Sequence, residues 1–245
     1  MRYACVAIPH FPIQVELRRK PKLRGRPVVL IHSSGSQRMV FDTSPRASAV
    51  APGMSVQEAL ARCSAAVLLE ADLSTYRQCF ERILDNLGNV SPTVEDGGPG
   101  LAYVDLRGLV PMYGDEARVT KALLEAVPLG FYPLVGIADG KFSSYVATSY
   151  AHYGGAYQAP GDMRNFLAPL LVETLPVSSK VIARLHSFGI QRLRQVAALG
   201  VGPLQAQFGS TGHFMWKLAL GIDYCPLVPR RTEQIVREEI DFPVP

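Results

Sequence analysis

Tyr3–Ile8 and Pro27–Ile31 are continuous apolar, β-prone runs, and between them Phe11–Arg19 has the spacing of a short amphipathic helix. The opening is therefore strand, helix, strand. Gln37–Asp42 reads as another strand, and Ser55–Cys63 as a helix capped by Ser55, with Glu58 three residues on completing a capping box. Ala66–Leu69 is a short strand. Leu73–Leu87 sets Tyr76, Cys79, Phe80, Ile83, Leu84 and Leu87 on one face, which predicts a core-facing helix that starts near Leu73 or Ser74.

The middle of the chain repeats this alternation. Pro92–Glu95 and Leu101–Leu106 read as strands flanking a Gly/Pro-rich turn, and Asp115–Ala126 as a helix whose acidic start suits the helix dipole. Leu134–Ile137 is a strand, and Phe142–Tyr153 a helix ended by Gly154-Gly155. This order predicts an α+β fold with a ferredoxin-like sheet, mixed or antiparallel, and helices on one face. From Pro160 the rhythm changes. Met163–Leu171, Ser179–Phe188, Leu193–Leu199, Gly202–Phe208 and Thr211–Leu220 all read as short helices, which marks a separate helical unit.

Composition adds exclusions. With 245 residues, 48% of them hydrophobic, the chain can bury ordinary cores. No apolar run reaches membrane-spanning length, and charges at Glu16, Arg18, Arg19 and Lys20 interrupt any signal-peptide core, so a soluble, cytoplasmic protein is expected. Cys5, Cys63, Cys79 and Cys225 are too scattered for a zinc site and read as free thiols. Net charge is only +4, but Arg18, Arg19, Lys20, Lys22, Arg24 and Arg26 crowd together with no acidic residue among them. Such a cluster attracts phosphates or forms a solvated loop. Lys180, Arg184, Arg192 and Arg194 form a second basic set.

The segment Val94-Glu95-Asp96-Gly97-Gly98-Pro99-Gly100-Leu101-Ala102-Tyr103-Val104-Asp105-Leu106 resembles the palm hairpin of the Y-family translesion DNA polymerases. In that family an Asp-Glu pair precedes the Ala-aromatic-aliphatic-Asp run. Leu23-Arg24-Gly25-Arg26-Pro27-Val28-Val29, Ala49-Val50-Ala51-Pro52-Gly53-Met54 and Val135-Gly136-Ile137-Ala138 with Lys141 resemble three further family segments, in the family's order. The resemblance spans essentially the whole chain. It implies a palm over residues 1–10 and 73–164, small α/β fingers over 11–72, a helical thumb over 165–229, and a linker over 230–245 toward a little finger domain that is absent.

The same resemblance locates the residues that should carry chemistry. The metal-binding Asp-Glu pair falls on Gly100 and Leu101, and the aspartates at the end of the first strand fall on Ala7 and Pro9, so the degenerate catalytic positions are Ala7, Pro9, Gly100 and Leu101. None of these offers the side-chain oxygen that a hard divalent cation requires. Pro12 replaces the aromatic sugar gate. Arg46 and Lys141 are the remnant of the nucleotide grip, while Thr43, Tyr145 and His152 depart from it. In the degenerate helix-hairpin-helix of the thumb, Val177-Ser178-Ser179 replace the glycine-containing turn. Asp42, Glu95, Asp96 and Asp105 are the candidates for relocated ligands, but Asp105 lies about 13 Å beyond Leu101 at roughly 3.3 Å per residue.

The pattern of losses is most similar to the catalytically inactive ImuB-type accessory proteins of bacterial mutagenesis. That similarity implies a non-catalytic role in DNA damage tolerance, with no cofactor and no metal site. It also implies weak, nonspecific DNA contacts through Arg24, Arg26, Ser178, Ser179, Lys180 and Arg184. A catalytic translesion polymerase, the sliding clamp or other mutagenesis proteins are the implied partners, reached through a C-terminal region absent here, and no membrane is involved. The alternative is an active template-directed nucleotidyltransferase that holds Mg²⁺ on relocated ligands. A third reading is an interaction domain independent of DNA.

Overall fold

A computed structural model describes residues 1–34 and 37–230. Along the chain, β1 (Arg2–Ala7) leads through α1 (Phe11–Arg19) to β2 (Val28–Ser34), β3 (Gln37–Thr43), α2 (Val56–Arg62), β4 (Val67–Glu70) and α3 (Leu73–Gly88). The hairpin of β5 (Val94–Asp96) and β6 (Leu101–Asp105) follows. Next come α4 (Val110–Tyr113), α5 (Glu116–Ala126), β7 (Leu134–Asp139), α6 (Lys141–Thr148) and β8 (Gly155–Gln158). Five short helices complete the described chain: α7 (Met163–Leu167), α8 (Ser179–Ser187), α9 (Leu193–Leu199), α10 (Val201–Phe208) and α11 (Ser210–Ala219).

The larger sheet has the order β5-β6-β1-β7-β8, antiparallel except for the parallel β7-β8 pair, and the smaller has the order β3-β2-β4. Central β1 explains the packing, since alternate residues of a strand point to opposite faces. Ala4, Val6 and Ile8 join Phe80, Ile83, Leu84, Leu87, Val119 and Leu123 of α3 and α5 in the main core. Tyr3, Cys5 and Ala7 face the other way, where α6 lies on the sheet, so helices cover both faces and not the single face expected from the element order. Gly136 permits that contact, because a Cβ there would sit 2.2 Å from the Ser144 carbonyl oxygen.

Some boundaries differ from expectation. Asp72, not Leu73 or Ser74, caps α3, its carboxylate accepting from the Thr75 N–H at 3.1 Å. The helix expected over Phe142–Tyr153 ends at Thr148, and the chain then turns into the unexpected strand β8, too short and too weakly apolar to announce itself. Within α1, Phe11, Ile13 and Val15 are buried in the core of the larger sheet. Phe11 packs there against Phe80 and Phe131 at 5.4 and 5.3 Å between ring centroids. Residues 231–245 of the expected linker lie outside the described residues. Arg230 is anchored, its N–H donating to the Val94 carbonyl at 2.9 Å and its guanidinium to Asp85 at 2.7 Å.

One polar contact joins α1 to the smaller sheet. His10, in the left-handed region at φ 50°, places Nδ1 2.7 Å from Asp42 Oδ1. The hydrogen bond to Asp42 raises the His10 pKa above its ordinary value, against the opposing effect of burial. Its stabilisation should therefore be complete below about pH 6.5 and disappear as pH rises through the raised folded-state value. Asn tolerates this backbone region but carries no titratable charge. The thermal midpoint of wild type should exceed that of His10→Asn most at about pH 5.5, with the gap narrowing toward about pH 9; a gap independent of pH would refute the coupling.

Candidate functional site

The register of β1, β6 and β7 sets which side chains share the face under α6. Ala7 pairs with Leu101 and Leu134, Cys5 with Tyr103 and Gly136, and Tyr3 with Asp105 and Ala138. The two strand positions that resemblance assigns to metal ligands, Ala7 and Leu101, thus stand directly opposite each other with no oxygen between them. Gly100 is more constrained still. Its φ is +91°, and a Cβ would lie 2.7 Å from Phe11 Cβ and 2.9 Å from the Ile8 carbonyl oxygen. The Gly100 carbonyl accepts from the Ile8 N–H at 2.7 Å. The backbone has closed over the place where a carboxylate side chain would emerge.

The remaining acids are each occupied separately. Glu95 holds Lys141 Nζ at 2.5 Å on one oxygen and accepts from the Val228 N–H at 2.6 Å on the other. Asp96 accepts from the Gly98 N–H at 2.8 Å and pairs with Arg77 at 2.7 Å. Asp105 is clasped by Arg107, whose Nη2 lies 2.5 Å from Oδ2. Burial disfavours the Asp105 anion, but the Arg107 hydrogen bonds outweigh it and hold the carboxyl below its usual range. Asp42 is paired with His10. Asp223, which sequence reasoning missed, caps α6 by accepting from the Phe142 N–H at 2.8 Å, and a Cβ on Gly140 would strike it. Nothing in the local sequence links these two segments, which are 81 positions apart.

Between this face and the terminal helices lies a cavity of about 470 Å³, lined by Leu101, Tyr103, Lys141, Tyr145, Phe214 and Asp223 among others. Lys141 Nζ sits 5.2 Å from the Tyr103 ring centroid, and burial raises the Tyr103 pKa. Lys141 is therefore engaged by Glu95 and Tyr103. Arg46 stands apart on an exposed turn after β3, so the two nucleotide-grip residues are not brought together by any contact among the described residues. Pro9 and Tyr153 line a different cavity, beside His10. Exposed His152 lies over Gly155, where a Cβ would approach its ring to 2.5 Å.

Ser178, Ser179, Lys180 and Arg184 do share one element, the start and exposed side of α8. Ser178 has φ −66° and ψ 152°, an extended conformation open to any residue, so replacing glycine strains nothing here. Arg184 donates to Gln207 at 3.0 Å and lies over Phe188. Arg24 and Arg26 are exposed near the entry to β2, in the smaller-sheet half of the molecule.

A palm-like sheet, a small α/β unit on its insertion and a terminal helical unit are the architecture of a Y-family polymerase. The impB/mucB/samB family pattern matches residues 6–149, and the chain belongs to that family. It is 28% identical over 235 residues to DNA polymerase IV of Dehalococcoides mccartyi, an alignment covering 93% of this chain and 60% of that protein. It is also 28% identical over 241 residues to DNA polymerase IV of Caulobacter vibrioides, covering 95% and 59%. The chain thus spans about three fifths of the curated relatives it matches. DinB from Sulfolobus solfataricus superposes with a TM-score of 0.79 at 24% identity, over 93% of this chain and 69% of that one. An insertion ternary complex of Dbh DNA polymerase gives the same TM-score at 21% identity, with the same coverage.

These comparisons correct the expectation that no cofactor is involved. The relatives are named as DNA polymerases, and polymerases of this family use divalent metal ions, Mg²⁺ in particular. Counting side-chain ligands misleads because Mg²⁺ is commonly held by one or two carboxylates together with substrate phosphates. The described side chains nonetheless do not fit a polymerase metal pair. Asp42 Oδ2 is buried without a hydrogen-bond partner, yet among the described residues no group of three His, Cys, Asp or Glu converges on one point. No catalytic step through a metal can be built on Ala7, Gly100 and Leu101.

Because Gly100 combines a positive φ with a missing Cβ volume, Gly100→Ala should destabilise the fold by about 2–4 kcal/mol, combining backbone strain and overpacking. Urea denaturation measures this directly. A loss below about 1 kcal/mol would mean that Phe11 and Ile8 yield easily.

Proposed function

We propose that this chain acts in DNA damage tolerance as a non-catalytic accessory of the ImuB type, a Y-family fold kept to bind DNA and to link a catalytic translesion polymerase with the sliding clamp or other mutagenesis proteins. The observation that carries this reading is the closed backbone at Gly100 opposite a side-chain pair, Ala7 and Leu101, that has no oxygen. Phosphoryl transfer in polymerases depends on anchored charges around the reacting phosphate. Here the nearby carboxylates are spent on Lys141, Arg77 and Arg107.

DNA would meet the exposed start of α8, where Ser178 and Ser179 present the first N–H groups of a helix and Lys180 and Arg184 supply charge. Arg24 and Arg26, exposed near the entry to β2 and away from α8, add nonspecific phosphate contacts of their own. The domain assignment that accompanies this role is a palm over 1–10 and 73–164, fingers over 11–72 and a thumb over 165–229.

Primer extension with Mg²⁺ or Mn²⁺ tests the reading. The protein should add no template-directed nucleotide, while still binding primer-template DNA with an affinity that falls steeply with salt and is weakened in K180E/R184E. Incorporation that disappears in Asp105→Ala or Glu95→Ala would instead establish an active nucleotidyltransferase with relocated ligands.

A further inference from the structure

The side of the larger sheet away from Ala7 and Leu101 carries its own basic groove. Helices α1 and α3 and the loop between α5 and β7 enclose a cleft of about 500 Å³ that holds Arg18, Arg82 and Phe131. A second cavity of about 270 Å³ continues from it and shares Arg18, adding Arg24 and Tyr132. Among the described residues neither lining includes an acidic one, although Arg19, which also borders the first cleft, is paired with Glu16 and Asp72. Arg18, Arg24 and Arg82 are exposed and have no carboxylate partner among the described residues, in contrast to neighbouring Arg19, which binds Glu16 and Asp72.

Two features make this more than a charged surface. The Arg18 guanidinium is held 4.2 Å from the centroid of the Phe131 ring, a cation–π contact that restrains it at the wall of the groove. Tyr132 follows immediately in the chain and is 57% exposed, its backbone pinned by a 3.0 Å hydrogen bond to Gln14. Arg82, Arg18 and Arg24 therefore line two adjoining cavities beside one exposed aromatic ring, Tyr132, while buried Phe131 serves to hold Arg18; cations beside a free ring face are the elements that grip phosphates and stack a base.

We infer that this groove, on the reverse of the palm and separate from the α8 contact, binds single-stranded nucleic acid. This inference rests on the DNA-associated role proposed above for its choice of ligand. An acidic peptide matches the charge less completely. The lining comes from α1, α3 and loops, with no strand to offer a backbone ladder to an extended peptide, and a carboxylate makes no use of the exposed Tyr132 ring. The groove runs through two adjoining cavities with Arg82 in one and Arg24 in the other, and a strand with unpaired bases presents successive phosphates and a ring face along such a path, which a paired duplex does not.

Fluorescence anisotropy of a short fluorescein-labelled oligothymidylate tests this on the whole chain. R18A/R82A should weaken its binding tenfold or more and lower the salt slope by roughly 1.4, the value for two single-strand phosphate contacts. The same variant should leave primer-template binding close to wild type and retain a wild-type circular dichroism spectrum. An oligothymidylate carrying 4-thiothymidine should cross-link on irradiation to the peptide containing Tyr132. Unchanged oligothymidylate affinity in R18A/R82A, cross-links confined to α8, or displacement of the strand by an equimolar oligoglutamate peptide of the same length would each overturn the assignment. Primer-extension activity would end the accessory reading and leave the oligothymidylate result standing, so the two failures are distinguishable.

Discussion

The 2.7 Å hydrogen bond from the Ile8 N–H to the Gly100 carbonyl is the constraint from which the rest of this site follows. It brings the end of β1 against the turn of the β5-β6 hairpin, and Phe11 follows directly as the first residue of α1. With Phe11 locked between Phe80 and Phe131, the start of α1 cannot draw back to admit a side chain at position 100. Interiors packed at crystal-like density do not yield the volume of even one added carbon without cost. The loss of the carboxylate at this position is therefore a property of the packing as well as of the residue.

Electrostatics completes what packing begins. A polymerase palm holds several carboxylates close together, a repulsive arrangement that bound cations relieve. Here the acids are dispersed: Glu95 binds Lys141 from α6, Asp96 binds Arg77 from α3, and Asp105 binds Arg107 just beyond its own strand. Glu95 also receives the Val228 N–H, so the extended run after α11 is tied to the sheet edge through the same side chain that restrains Lys141. Charge that could have organised phosphoryl transfer is used to hold segments together.

Much of this was legible in the chain. Tyr76, Phe80, Ile83, Leu84 and Leu87 announced α3 by spacing alone, and all five are buried. The apolar run after the Gly/Pro-rich turn announced β6, while its register against Ala7, Cys5 and Tyr3 emerges only in the folded sheet. Less legible were features set by distant partners. β8 is recognisable only once β7 offers it an edge, and the Asp223 cap on α6 needs the chain to return after 81 residues. Gly100 could be read as lacking a ligand, but that Phe11 and Ile8 leave no room for one is a fact of three-dimensional packing. The ligand count itself was read too far, since a cation that arrives with phosphates need not be announced by protein side chains.

The two faces of the larger sheet consequently carry different potentials for function. On the α6 side, Glu95 is paired with Lys141 and Asp105 with Arg107, while Asp223 is spent on backbone N–H groups, and charges so engaged offer little electrostatic pull on a ligand. On the α1 and α3 side, Arg18, Arg24 and Arg82 have no acidic neighbour among the described residues and remain available to solvent. Unpaired cations in a concave, partly apolar setting are the ones whose counterions are gained and lost with binding. The absence of carboxylates at Ala7, Gly100 and Leu101 thus does not leave the fold without available charge, since the cations free to bind lie on the opposite face of the sheet.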